Sequence, residues 1–153
     1  MDSCDGSAGR TRMTKKILVP VDGSEQARKA IDFAVNLAKQ DDAVMHLLHV
    51  YKLPIVPEGM GEYVISDRID LQALGDQIIA VAQDEASKKG VQHVKAAVME
   101  GDPAERIIAY AKDHDVDMIV MGSRGLGSFK GLLLGSVSNK VSHRADRTCV
   151  IVR

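Results

Sequence analysis

The sequence predicts an α/β domain, a parallel sheet with helices on both faces. Three observations carry that prediction. Short apolar runs alternate with longer stretches of helical period, strand then helix, five times over with only the last helix missing. The runs are nearly continuous in apolar residues, as strands buried on both faces are. The loops richest in Gly, Ser and Asp follow the first and fourth runs, so the polar chemistry collects at one end of the strands.

Ile17 to Val21 reads as the first strand, preceded by Lys15 and Lys16. Asp22-Gly23-Ser24 ends it, and Ser24 is a candidate N-cap for a helix that continues to about Lys39. Ala27, Ala30, Ile31, Ala34, Val35 and Ala38 make one apolar face at helical spacing. Asp41-Asp42 closes the unit, and Ala43 to Val50 is the second strand. Tyr51 to Val64 carries Pro54, Pro57, Gly59 and Gly61 and is irregular, either a flap over a site or a mobile connection.

A long helix is expected from about Ser66 to Lys89, stopped by Gly90. Leu71, Leu74, Ile78, Val81, Ala82 and Glu85 keep its period, only the last being polar. The third strand spans about His93 to Met99. Asp102 can cap the next helix with Pro103 at its first position, and that helix buries Ala104, Ile107, Ile108 and Ala111 on its way to about His114. The fourth strand is Met118 to Met121. A glycine-rich loop follows, then a helix from about Ser136 to Arg144 that buries Val137 and Val141, then the fifth strand, Thr148 to Val152.

A chain of 153 residues suits one domain with a real core, placed at residues 13–153. Residues 1–12 hold almost nothing apolar and are read as an added leader or a frayed, disordered terminus. Hydrophobic residues make up 45%, yet there is no Trp and only two Phe, so the core must be aliphatic. Twenty basic against 21 acidic residues leave a net charge of −1, which argues against nucleic acid as a partner. No apolar run approaches the roughly 20 residues of a membrane span, and no secretory signal is visible. With only Cys4 and Cys149, a reducing compartment fits, and the expected location is the cytoplasm. His46 and His49 are three apart on a strand, hence on opposite faces, and no histidine has a partner at ligand spacing, so no metal site is expected.

The stretch from Met118 to Val141 carries the chemistry. It opens as a strand, breaks at Gly122, and holds Gly125, Gly127, Gly131 and Gly135 with Ser123, Ser128, Ser136 and Ser138 before a helix begins. A strand that ends in glycines and restarts as a helix suits phosphate. Glycine allows φ > 0 and close backbone approach, and the helix start offers N–H groups and a positive dipole end. The alternative is a plain Gly/Ser surface loop. The P-loop is absent, because no Gly-Lys-Ser/Thr occurs, and the turn after the first strand, Val21-Asp22-Gly23-Ser24, is not a dinucleotide fingerprint.

What is present is Gly122, two residues, Gly125, nine residues, then Gly135-Ser136. This G-2x-G-9x-G-[ST] spacing resembles the ATP-binding signature of the universal stress protein family. The resemblance runs from Lys16 to Arg153 and includes the opening I-L-V-P-V-D-G-S and the closing C-V-I-V. It implies an open, Rossmann-like five-stranded sheet in the order 3-2-1-4-5. The first and fourth strands then lie side by side at the switch point, where α/β sheets bind ligands.

On that basis the phosphates of ATP fall to Gly122, Gly125, Gly135, Ser136, Val137 and Ser138, with Ser136 and Ser138 adding hydroxyl donors. Ser123 and Arg124 sit between the glycines and can join them or simply face solvent; Lys130 is in the same position. Asp22 would be repelled by a triphosphate unless a divalent ion lay between, so it belongs towards adenine and ribose, with Pro20 and Val21 lining the same wall. Its other reading is a helix cap shared with Ser24. The resemblance implies that Val50, ending the second strand, meets adenine through its backbone, and that the last strand, Thr148 to Val152, pairs with a two-fold mate. Mg²⁺ or Mn²⁺ can accompany the nucleotide.

Two function classes follow: a nucleotide-dependent regulatory module in a stress response, read by an unknown protein partner, and a slow ATPase or phosphotransferase. An enzyme would need a group to position water or an acceptor at the last phosphate, and none is evident, so slow hydrolysis at most is expected. A third reading, a vestigial site in a protein whose role is dimerisation, sits badly with the complete glycine spacing.

Overall fold

A computed structural model describes residues 14–125 and 134–153. The expectations for residues 1–12 and for Gly127, Ser128, Lys130 and Gly131 lie outside the described residues. The elements are β1 (Lys16–Pro20), α1 (Glu25–Asp41), β2 (Val44–Tyr51), α2 (Gly61–Lys88), β3 (Val94–Glu100), α3 (Pro103–Asp113), β4 (Met118–Gly122), α4 (Ser136–Arg144) and β5 (Thr148–Val152). All strand pairs are parallel, and the sheet order is β3-β2-β1-β4-β5, as the resemblance implies.

Alternate residues of the central strands enter two cores. Ile17, Val19, Met45, Leu47 and Val120 pack with the apolar face of α1 and with Ile79, Ala82 and Ala86 of α2. Leu18, Leu48, Ile119 and Met121 pack on the other face with α3 and with Val141 of α4. Both faces of β1 and β4 are therefore dry, which is why their sequences are continuously apolar.

The six residues expected on the buried face of α1 are all buried. Ser24 caps the helix by accepting from the Ala27 N–H at 3.1 Å, and Asp42 ends it in the left-handed conformation, φ 53°. Asp102 caps α3 by accepting from Glu105 N–H; in that helix Tyr110 is buried where Ile108 was expected, Ile108 being half-buried. Val137 of α4 is likewise half-buried, with Ser138 and Val141 turned inward.

Helix α2 departs most from expectation. It begins at Gly61, not Ser66, so the irregular stretch shortens to 52–60. Its N-cap is Met60 and no side chain caps it, so the cap position itself carries no start signal. Among its described residues the buried positions are Gly75, Ile79, Ala82 and Ala86, while Leu74 is 50% exposed and Val81 57%. Of the expected Leu71-Leu74-Ile78 stripe, Ile78 packs against the edge of the core, while Leu71 is half-buried and Leu74 exposed.

β1 and β4 are in register only at Ile17–Met118 and Leu18–Ile119. Beyond these pairs β1 continues against β2 and β4 against β5. The two strands part at their carboxyl ends, and the start of α1 fills the gap beside Gly122. A Cβ on Gly122 would stand 2.8 Å from the backbone carbon and from Cβ of Gln26.

Candidate functional site

A cavity of about 710 Å³ opens where β1 and β4 part. Its floor is the carboxyl ends of β1, β2 and β4, and its walls come from α2 and from the starts of α1, α3 and α4. Pro20, Val21 and Asp22 line it from β1 and the turn after it. Val50 lines it from β2, and Gly122, Arg124 and Gly125 from the loop after β4. Gly135, Ser136, Val137 and Ser138 line it from the start of α4. Of the expected site residues, Ser123 alone is not in the wall.

Ser123 is 3% exposed and ties the glycine stretch together. Its N–H donates to Val152 O at 2.9 Å, and its carbonyl accepts from Gly135 N–H at 2.6 Å. The same carbonyl accepts from the Ser138 hydroxyl at 2.8 Å. The two ends of the glycine loop are thereby held together, whatever the path between them. Ser138, 3% exposed, directs its one hydroxyl proton to backbone carbonyls, with Gly135 O also within 3.3 Å. The hydroxyl expected to donate to phosphate thus has backbone carbonyls as its partners in this structure, while Ser138 remains in the cavity wall. Ser136 is exposed.

The glycines act by close approach. Gly135 has φ −69°, and neither Gly122 nor Gly125 is among the described residues with positive φ. At Gly125 a Cβ would stand 2.5 Å from Asp22 Oδ2. The other oxygen of Asp22 accepts from Ser24 N–H at 2.9 Å. Asp22 thus takes part in the α1 cap and reaches the glycine loop at once. Gly23 between them needs its freedom, with φ 82°.

Three helices start around the cavity, and they differ. Ser24 caps α1 and Asp102 caps α3, whereas α4 starts at Gly135 with no side-chain cap and no acid in its first turn. The amides of Ser136, Val137 and Ser138 form that first turn, a place where a helix offers N–H groups and a partial positive charge to an anion.

Several wall residues were not singled out from the sequence. Leu71, Leu74 and Ile78 of α2 form an apolar side, and His49, Tyr51, Lys52, Pro103 and Ile107 complete the wall. The stripe looks like ordinary helix core by period. The available signal was Gly75, an isolated glycine inside a helical pattern. Asp22 is the only carboxylate among these lining residues and His49 the only histidine. His49 lies on β2, two strands from β4, or about 10 Å at the usual strand spacing.

His46 and His49 fall on opposite sides of the sheet. His49 Nδ1 is 2.8 Å from Val21 O on the α2 side. His46 is 2% exposed on the α3 side, with Nδ1 2.9 Å from the Tyr110 hydroxyl. Burial first, then the positive charges of His114, Lys95 and Lys16, lower its pKa to about 4. Among the described residues no three of His, Cys, Asp and Glu come together to hold a metal. No helix among them is long and apolar enough to cross a membrane.

Comparison with known proteins matches residues 13–153 to the model of the universal stress protein family. Universal stress protein YxiE of Bacillus subtilis (strain 168) is 38% identical over 149 residues, covering 92% of this chain and 100% of its own. The structure of universal stress protein UspA from Lactobacillus plantarum superposes with a TM-score of 0.83 at 28% identity, covering 92% of this chain and 98% of that one. A universal stress protein solved in complex with cAMP superposes with a TM-score of 0.67 at 25% identity, covering 92% and 97%.

Proposed function

The chain belongs to the universal stress protein family, and on that premise we propose that it is an ATP-binding regulatory module of a stress response, one that holds the nucleotide rather than turning it over quickly. The observation that carries this reading is the uncapped start of α4 in the wall of the cavity, directly after the G-2x-G-9x-G-S spacing. A cavity of about 710 Å³ is in the range of small-molecule sites. A structural neighbour described as a cAMP complex supports an adenine nucleotide as the ligand class.

In this reading the phosphates meet the backbone of Gly122, Gly125, Gly135, Ser136, Val137 and Ser138 and the Ser136 hydroxyl. Arg124, half-buried in the wall, adds positive charge. Ser123 contributes by holding the loop ends together. Adenine and ribose lie towards Pro20, Val21, Asp22 and Val50. Mg²⁺ or Mn²⁺ arrives with the nucleotide and bridges its phosphate oxygens. The module is residues 13–153, a single domain, acting in the cytoplasm and read by a protein partner. Its β5 is an edge strand with half-buried residues, which a second copy pairing through Thr148–Val152 would cover. Sedimentation as a monomer at micromolar concentration would remove that pairing.

Slow binding-site hydrolysis is the second reading. Phosphoryl transfer is fast where a site also orients the attacking water or acceptor. Among the described lining residues the one histidine, His49, lies on β2, two strands from β4, and the one acid, Asp22, has one oxygen accepting from Ser24 N–H and the other against Gly125. A single-turnover assay with labelled ATP and saturating Mg²⁺ separates the two. ATP should persist for minutes on the purified protein, and conversion within seconds would make the protein an enzyme.

A further inference from the structure

On the α2 side of the cavity β2 presents two polar side chains, Tyr51, whose hydroxyl donates to Gln72, and His49. His49 is the one with a free acceptor. It is 8% exposed and set between the sheet and α2. Its Nδ1 lies 2.8 Å from Val21 O. A carbonyl oxygen can only accept, so Nδ1 carries the proton, and in the neutral ring Nε2 is left with a lone pair. Among the described residues Nε2 has no hydrogen-bond partner. It is also not sealed in the core, as the Nε2 of His46 is. The ring is held at its other edge by the shape of α2. A Cβ on Gly75 would stand 2.8 Å from His49 Cδ2 and 3.5 Å from Nε2. A glycine inside a helix costs about 1 kcal/mol relative to alanine, and here the ring uses the space it leaves.

We infer that His49 is a specificity-determining residue for the base, its Nε2 accepting a hydrogen bond from the exocyclic amino group of a 6-aminopurine. The inference rests on the nucleotide reading of this cavity and deepens it. Leu71, Leu74 and Ile78 offer the base an apolar side with no donors or acceptors of their own in their side chains. Against such a side a fixed side-chain acceptor, added to the backbone of Val50, discriminates between bases. An amino group at C6 presents an N–H to Nε2. A carbonyl at the same position presents a lone pair to a lone pair and leaves both unsatisfied, the kind of mismatch that sites reject most strongly.

The test compares ATP with inosine 5′-triphosphate, which carries oxygen in place of the amino group. Calorimetric titrations use the full chain with Mg²⁺. The native protein should bind ATP about tenfold or more tightly than the inosine nucleotide. His49→Asn separates the two roles of the ring. The asparagine amide can still donate to Val21 O, as Nδ1 does, but places no acceptor where Nε2 stands. The variant should stay folded and lose most of the ATP-to-inosine preference. A purely structural role would weaken both nucleotides together and leave their ratio alone. An unchanged ratio in folded His49→Asn overturns the inference, as does a native protein that binds the two nucleotides equally. If the native protein binds neither, the nucleotide reading fails and the inference falls with it, an outcome distinct from ATP binding with an unchanged ratio.

Discussion

Asp22 and Gly125 face each other across the mouth of the β1–β4 crevice so closely that a Cβ on Gly125 would stand 2.5 Å from Asp22 Oδ2. Asp22 also accepts from Ser24 N–H at 2.9 Å, so the carboxylate links the α1 cap to the glycine loop. Gly125→Ala should therefore displace Asp22 as well as crowd any ligand. ATP affinity should fall about tenfold, with a stability loss of about 1–2 kcal/mol. Asp22→Ala made in the Gly125→Ala background should cost less than Asp22→Ala alone, because the carboxylate has already moved. Calorimetry and denaturant melts of the two single variants and the double variant check this. Additive effects would mean that the two residues act separately.

The two serines of the α4 start should behave differently. Ser138 donates inward to Ser123 O, so Ser138→Ala leaves a buried carbonyl with one partner fewer. It should lose about 1–2 kcal/mol of stability, or a few degrees of melting temperature. Ser136 is exposed at the cavity, and Ser136→Ala should leave the melt unchanged while weakening ATP several-fold. Equal effects of both variants on stability would contradict the division of roles.

Gly75→Ala offers a test against intuition. Alanine favours helix by about 1 kcal/mol over glycine. Yet the new Cβ would meet His49 Cδ2 and Val98 Cγ1, both at 2.8 Å. Overpacking of this kind costs about 1–3 kcal/mol, so the variant should melt below the native protein. A higher melting temperature would show that α2 can shift away from the sheet freely.

His46 should make the fold sensitive to acid. Its folded pKa, about 4, lies below the ordinary 6.5. The unfolded chain therefore takes up a proton that the folded chain refuses. The contribution is complete above pH 6.5 and is lost as pH falls towards 4, to a limit of roughly 3 kcal/mol. Urea midpoints at pH 7 and pH 4.5 should converge less steeply in His46→Asn, which can keep a contact to the Tyr110 hydroxyl without titrating. Parallel pH dependence in the two proteins would remove His46 as a cause.

The alternation of elements was legible because β1 and β4 are dry on both faces and α1 shows a clean amphipathic stripe. Strand order was not legible from periodicity and came from the resemblance. The start of α2 was hidden because Met60 and Gly61 carry none of the usual start signals. The glycine spacing located the α4 side of the cavity, since that signal is local in sequence. The α2 side was missed because Leu71, Leu74 and Ile78 satisfy the helical period that core residues satisfy. Only the burial of Gly75 and Ile79 instead shows which way the helix is turned. The inward partner of Ser138 was hidden for a similar reason: the sequence shows a hydroxyl at a helix start, and only the fold brings it to Ser123 O.

The most direct test of nucleotide binding in this cavity is a titration of uniformly ¹⁵N-labelled protein with Mg-ATP, followed through backbone amide resonances. The amides of Val21, Asp22, Val50, Gly122, Gly125 and Gly135 to Ser138 should shift together and saturably, while those of Tyr110 and His114, beside the buried His46, stay in place. Saturable shifts centred on any other surface, or none at millimolar Mg-ATP, would contradict the account.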